Sequence, residues 1–295
     1  MQSAGNTARA FAKVCSENNI PIVICIPEDN INDLWFRRRL KNCVKIAATP
    51  HGTDYFDAIT LGDKICKDPR YLAEGGAKNI ARRDGMGTTL LSAVEAIGRI
   101  PDAYFQAVGS GTGAIAAYEN NLRLIEDGRY GKNKMKVFAV QNIPFTIMYD
   151  SWKAQSRTLV ELTAEQSRRN AEVILAKVLS NRKPPYSLDG GLFDVLRDSG
   201  GDMFKVTNDE IVYWMLQFFN REGVDIFPAA AAAVASLDKA LESGQISKTE
   251  TIMLNISGGG MLNATKKGFI LKKPDLVLCP DLPVEDIISQ IDKLF

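Results

Sequence analysis

One histidine, His51, stands in a chain of 295 residues. A Ser-His-Asp or Cys-His arrangement would have to use it, and its sequence neighbours lack that context. Chemistry on a metal held by several histidines is excluded, no metal is expected, and His51 reads as a loop residue before Gly52. Cysteine is sparse as well: Cys15, Cys25, Cys43, Cys66 and Cys279 are odd in number and none form a Cys-x-x-Cys pair. That spacing argues against a disulfide framework or a zinc site and predicts reduced thiols in a cytoplasmic protein. Net charge is only +1, so no global field gathers nucleic acid or a membrane surface. The short cluster Arg37-Arg38-Arg39 reads as solvated surface. No apolar run is long enough to span a bilayer. The alanine run 229–233 follows Pro228 and reads as the start of a tightly packed helix. No signal-peptide pattern precedes the first motif, since only Met1 and Gln2 stand before it.

What remains is 45% hydrophobic and 24% charged, the balance of a globular protein with a sizeable core. Short apolar runs alternate with amphipathic stretches. Residues 7–18 read as a helix and IPIVICIP (20–27) as a buried strand. A helix near 30–40, a strand at 43–47, a helix near 52–66 and a short strand at 71–76 follow. Residues 86–98 form a helix. Then come a strand, a glycine loop and a long helix over 103–127, and a strand at 136–141. The segment 150–208 is less regular, with a polar helical stretch at 162–180 and the turn-rich NRKPPYSLDGG at 181–191. It reads as an insertion near an active site or a subunit contact. Helices near 208–222 and 228–243, a strand at 251–256 and a closing strand and helix complete the chain. This alternation predicts an α/β fold of two open, twisted, mostly parallel sheets flanked by helices. Residues 1–85 are assigned to a small α/β domain and 86–295 to a large one.

Three glycine-bearing loops carry the chemistry. VGSGTGAIAA places Gly109, Ser110, Gly111, Thr112 and Gly113 between an apolar strand and a helix. Small residues let backbone N–H groups approach an anion, the helix start adds donors, and two hydroxyls add more. The loop is either a tight turn or a phosphate cradle. It lacks the Gly-Lys-Ser/Thr of a nucleotide loop and the acidic residue of a dinucleotide fingerprint. Ser3-Ala4-Gly5-Asn6-Thr7 opens the first helix, as a cap or as a carboxylate site in which Asn6 can donate to a phenolic oxygen. ISGGG (256–260) follows a strand and sets Ser257 where α/β sheets place ligands, within reach of a ring nitrogen, or forms a flexible turn. A phosphate, a ring nitrogen and a phenolic oxygen together describe pyridoxal 5'-phosphate.

These stretches resemble pyridoxal-phosphate enzymes of the tryptophan synthase β type. SAGNT resembles their substrate-carboxylate loop, PDAYFQAVGSGTG their strand and phosphate loop, and LNISGGG the strand whose terminal Ser or Thr meets the pyridine nitrogen. EGGAKNIARRDGMGTTLLSAVEAIG resembles the crossover between their domains. Within that group the chain is similar to the threonine-synthase branch and, inside it, to the cysteate synthase family, over essentially its whole length. The resemblance implies the tryptophan synthase β-like fold (fold type II). Asn6, Gly109, Ser110, Gly111, Thr112, Gly113 and Ser257 would bind the cofactor, and Ser3, Ala4, Gly5 and Thr7 the substrate. It further implies conversion of O-phosphoserine and sulfite into cysteate and phosphate, on the coenzyme M pathway of methanogens, by a homo-oligomer that binds no nucleic acid and no membrane. Two anions meet in such a site, and Arg82, Arg83 and Arg182 are candidates to line it.

In that family the Schiff-base lysine lies on a helix upstream of the Ser-x-Gly-Asn loop. Lys13 follows the loop, so no catalytic residue is assigned here, and the lysine is expected upstream of Met1, from a longer or split gene. On that expectation the 295 residues alone are inactive. Two other readings stand beside it: a lyase of the threonine synthase kind acting on phosphohomoserine, and a non-catalytic module or partner subunit that binds the cofactor or a phosphorylated amino acid.

Overall fold

In the computed structural model, which describes residues 1–3 and 5–295, the first part of the chain forms α1 (Asn6–Asn18), β1 (Ile22–Pro27), β2 (Trp35–Phe36), β3 (Val44–Thr49) and α2 (Tyr55–Ile65). The middle forms α3 (Ile80–Ile97), β4 (Ala103–Ala107), α4 (Thr112–Asp127), β5 (Lys136–Asn142), α5 (Ile147–Lys153), α6 (Ala164–Val173) and α7 (Leu192–Ser199). The remainder forms β6 (Asp202–Val206), α8 (Asn208–Glu222), α9 (Pro228–Glu242) and β7 (Ile252–Leu254). It closes with α10 (Met261–Lys266), β8 (Ile270–Leu271), β9 (Leu276–Val277) and α11 (Val284–Asp292). Three helices start at complete capping boxes, Asp54 with Asp57, Thr163 with Gln166, and Thr207 with Glu210.

The chain divides into two compact units, Met1–Gly75 with Leu262–Phe295, and Gly76–Met261. The last 34 residues, placed by the sequence reading in the large domain, belong to the N-terminal unit. The reason is strand pairing: β9 runs parallel to β3 and β8 antiparallel to β2.

In the N-terminal unit the parallel sheet has the order β1-β3-β9. Its strands alternate between two apolar layers. Ile24, Ile26, Val44 and Ile46 pack with Ala8, Ala12 and Cys15 of α1, and Val23, Cys25 and Ala47 pack with α2 and α11. Gln2 bridges Cys25 in parallel, and the Met1 amino group donates to the Val23 carbonyl at 2.8 Å. The opening loop therefore leaves a short strand-like segment beside β1. All five cysteines carry free thiols, and burial pushes the Cys25 thiol up to about 11.

The second unit holds a four-stranded parallel sheet of order β6-β5-β4-β7. One face packs Tyr104, Val137, Ala139 and Met203 beneath α3, α4 and α7. The other packs Phe105, Phe138, Val140 and Phe204 against α9, whose alanines 229–233 are all buried. An alanine surface lets the helix backbone approach the sheet closely, as expected from the run after Pro228.

Several elements differ from the sequence reading. The helix expected near 30–40 is a 3₁₀ turn at Glu28–Asp33 followed by β2. The stretch is dense in Asp and Asn, residue types that favour turns over helix interiors, and Asn30 Nδ2 donates to Asp33 Oδ2 at 3.2 Å within the turn. Residues 71–76 form no strand, and Leu72 is 89% exposed. α3 starts six residues earlier than expected, where Asn79 caps the Arg82 amide. β6, α5 and α7 were not anticipated. Among the described residues no helix is long and apolar enough to cross a membrane.

Candidate functional site

The glycine loop 109–113 joins β4 to α4, and every glycine in it has a structural reason. Gly111 holds φ +75°, a left-handed conformation that disfavours side chains, and a Cβ there would lie 3.2 Å from Leu192. A Cβ on Gly109 would lie 2.6 Å from the Val178 carbonyl oxygen, and one on Gly113 2.6 Å from Nε2 of Gln106. α4 starts at Gly111 with no side chain capping it, and Gly111, Thr112 and Gly113 are buried. The Ser110 and Thr112 hydroxyls share a hydrogen bond of 2.9 Å, and the Thr112 amide donates to Ser110 Oγ at 3.3 Å. No charged residue stands between Asp102 and Glu119. First-turn amides, two hydroxyls, a helix dipole and no competing carboxylate fit a phosphate group.

The walls of this cradle come from residues that the sequence reading did not single out. A 3₁₀ turn at Lys177–Leu179 backs Gly109. It is tied down by Asn142, whose Oδ1 accepts from the Ala176 amide at 3.1 Å, and by Asn208, whose Oδ1 accepts from the Leu175 amide at 2.9 Å. Leu192, at the start of α7, covers Gly111. The turn-rich stretch 181–191, read as an insertion near a site, is the available signal for both.

Ser257 stands exposed just beyond β7, and β7 pairs in parallel with β4, Phe105 opposite Leu254. The phosphate loop and Ser257 thus leave adjacent strands at the same sheet end. Beneath them, Asn255 Nδ2 donates to the Tyr104 hydroxyl at 2.8 Å, and Tyr104 donates to Gln106 Oε1 at 2.6 Å. Burial raises the Tyr104 phenol well above its ordinary range, so it stays a neutral donor. The glycines after Ser257 are fixed by the segment Asp225–Ile226. The Phe227 amide donates to the Gly258 carbonyl at 3.0 Å, the Gly260 amide to the Asp225 carbonyl at 2.7 Å, and the Met261 amide to the Asp225 carboxylate at 2.7 Å.

In the other unit, Gly5 precedes α1 in a non-helical conformation with no side-chain cap. Asn6 is exposed, and its Oδ1 accepts from Arg9 Nη1 at 3.1 Å. Ser3 and Thr7 flank it, half-buried. Ala4 lies outside the described residues. Lys13 is exposed and pairs with Glu17 at 2.8 Å. Of the candidate arginines, Arg83 is engaged structurally, donating to Glu119 at 3.0 Å and to the Ala77 carbonyl at 2.5 Å. Arg82 and Arg182 are half-buried in the second unit.

The sequence model of the pyridoxal-phosphate dependent enzymes matches residues 2–258. The chain belongs to that family. It is similar to the cysteate synthase of Methanosarcina acetivorans, 43% identical over 97% of this chain and 70% of that protein. The similarity to the cysteate synthase of Methanocella paludicola is 44%, over 99% of this chain and 69% of that one. The chain thus spans about 70% of the length of these relatives. Among solved structures, maize serine racemase has a TM-score of 0.62 at 17% identity, covering 88% of this chain and 71% of that one. The serine racemase of Dictyostelium discoideum has 0.60 at 19%, covering 88% and 74%. These likenesses establish the fold: α/β, fold type II, with parallel sheets flanked by helices. The protein is a pyridoxal-phosphate-dependent enzyme acting on small molecules.

Proposed function

We propose that this protein replaces the phosphate of O-phosphoserine with sulfite, giving L-cysteate and inorganic phosphate, as a step of coenzyme M biosynthesis. The observation that carries this reading is the similarity to cysteate synthases along nearly the entire chain. When bound, pyridoxal phosphate supplies an electron sink that acidifies the substrate Cα–H and lets the β-phosphate leave. The chain's own residues hold and orient. Gly109–Gly113 grip the cofactor phosphate with first-turn amides and the Ser110 and Thr112 hydroxyls. Ser257 meets the ring nitrogen, and Asn6 faces the phenolic oxygen. Ser3, Ala4, Gly5 and Thr7 bind the substrate carboxylate. Asn255, Tyr104 and Gln106 form the polar floor that keeps the phosphate loop and the Ser257 turn in register.

We place the protein in the cytoplasm as a homo-oligomer. Free cysteines support the first, and the exposed apolar row Val212, Leu216 and Phe219 along α8 supports the second. The test uses protein expressed from the complete gene, with pyridoxal phosphate, and follows phosphate release and products by mass spectrometry. Phosphate released from O-phosphoserine only when sulfite is present, with cysteate formed, is the expected result. Threonine from phosphohomoserine without cysteate would assign the protein to the threonine-synthase reaction instead. Saturable binding of O-phosphoserine with no turnover would make it a binding module.

A further inference from the structure

Many arginines of this chain pair with a carboxylate. Arg70 pairs with Asp68 and Asp292, Arg83 with Glu119, Arg99 with Asp102, Arg123 with Asp84 and Arg129 with Asp127. One group in the N-terminal unit breaks this pattern. A groove of about 530 Å³ between α1 and the stretch Trp35–Lys41 is lined by Arg9, Lys13, Arg37, Arg38, Arg39 and Lys41. Its only acidic wall residue, Glu17, is taken by Lys13 at 2.8 Å. Among the described residues the other five cations have no carboxylate partner within ion-pair distance.

Three of them are held in place by neutral groups. Arg9 lies flat on Trp35, 3.3 Å from the ring centroid, and donates to the Trp35 carbonyl at 3.0 Å. Arg37 donates to the carbonyls of Ala264 and Gly268 at 3.3 and 3.1 Å. Lys41 donates to Asn19 Oδ1 at 2.9 Å. These contacts orient the cations without cancelling their charge. The consequence is visible at Arg9, whose guanidinium is shifted below its ordinary value by burial and then by the charge of Arg37. Holding like charges together in a partly walled groove is unfavourable unless a counter-charge visits it.

We propose that this groove binds a compact polyanion of the diphosphate class, free or as the phosphate chain of a nucleotide. The size and the charge count exceed what one sulfate or monophosphate would neutralise. Arg9 already covers a face of Trp35, so recognition runs through charge-assisted hydrogen bonds and not through stacking on a base. The sequence reading of Arg37–Arg39 as solvated surface misses the site because its first member, Arg9, sits a helix and a strand away.

The test is a titration with inorganic pyrophosphate, followed by calorimetry and by tryptophan fluorescence. Trp35 lines the groove, while Trp152 and Trp214 belong to the other unit. Saturable binding is expected, weakening as salt is raised from about 50 to about 200 mM. The double variant Arg38→Glu/Arg39→Glu, at two exposed positions, should weaken it by about tenfold or more. The fluorescence response should vanish in Trp35→Phe, while Gly111→Val should leave binding intact. A parallel ADP titration separates the sources: weaker binding than pyrophosphate points to the free ion, and equal or tighter binding to a nucleotide's phosphate chain. No saturable binding overturns the proposal. So does binding that survives the arginine changes and is lost in Gly111→Val, because the phosphate loop would then be its seat.

Discussion

The C-terminal ends of the two parallel sheets are built from opposite materials. In the second unit, β4 and β7 end in glycines and neutral hydroxyls. Walls fix them there: the Val178 carbonyl against Gly109, Leu192 over Gly111, Asp225–Ile226 behind the glycines after Ser257. In the N-terminal unit, β1 and β3 end in charges that satisfy one another. His51 Nδ1 lies 2.5 Å from Asp29 Oδ1, His51 Nε2 lies 3.4 Å from Glu28, and the Gly52 amide donates to Asp29 at 2.9 Å. An end that supplies donors without its own counter-charge waits for an external anion. A cluster whose charges already close on themselves calls for no external counter-ion.

The sharpest way to break this contrast is to fill the glycine cradle. Gly111→Val places a β-branched residue at φ +75° and against Leu192. The backbone strain alone costs about 1–3 kcal/mol. If the loop also loses two hydrogen bonds to the phosphate, cofactor affinity should fall on the order of 100-fold by equilibrium titration. Unchanged affinity would remove the phosphate assignment.

Gly109→Ala tests the wall instead of the donors. Its Cβ meets the backbone at Val178 and Leu179, so the turn Lys177–Leu179 must move. Overpacking of this kind costs about 1–3 kcal/mol. At roughly 2–4 °C per kcal/mol for a domain of this size, thermal melting should fall by several degrees. A smaller effect is expected for Ser110→Ala or Thr112→Ala. Each removes one hydroxyl and keeps the backbone, so affinity should drop about tenfold per charge-assisted bond while melting barely changes.

The second unit's site was the more legible of the two regions, for a physical reason. A continuous apolar strand, a glycine loop and a periodic helix follow each other in sequence, so local pattern suffices for β4, 109–113 and α4. The walls were not legible, because Val178, Leu192 and Asp225 reach the loops through tertiary folding. β6 escaped notice because it is a short edge strand that carries an exposed Lys205. The return of residues 262–295 to the N-terminal unit rests on pairings such as Ala47 with Leu276, more than 200 residues apart, which no periodicity encodes. In the N-terminal unit the apolar spacing of Ile31, Leu34 and Trp35 imitated a helix, while Asn30 and Asp33 favoured a tight turn.

The gentlest probe addresses the charged end of the N-terminal sheet, and the single histidine makes it clean. The hydrogen bond that His51 donates to Asp29, reinforced by the charge of Glu28, raises the His51 imidazole above its ordinary 6.5. The bond from His51, with that of the Gly52 amide, holds the Asp29 carboxyl below its ordinary 3.8. The raised imidazole contributes stability that is full below its unfolded value and fades as pH rises through the folded one. The lowered carboxyl contributes stability that is full above its unfolded value and fades as pH falls through the folded one. Their joint contribution is therefore largest between about 3.8 and about 6.5, and small, since His51 is exposed. Proton NMR should show one imidazole titration with a midpoint above 6.5, moving down in Asp29→Asn. The same variant should leave cofactor affinity in the second unit unchanged. A midpoint that stays put in Asp29→Asn would mean the strand end is not closed by its own charges, and the contrast between the two sheets would lose its charged half.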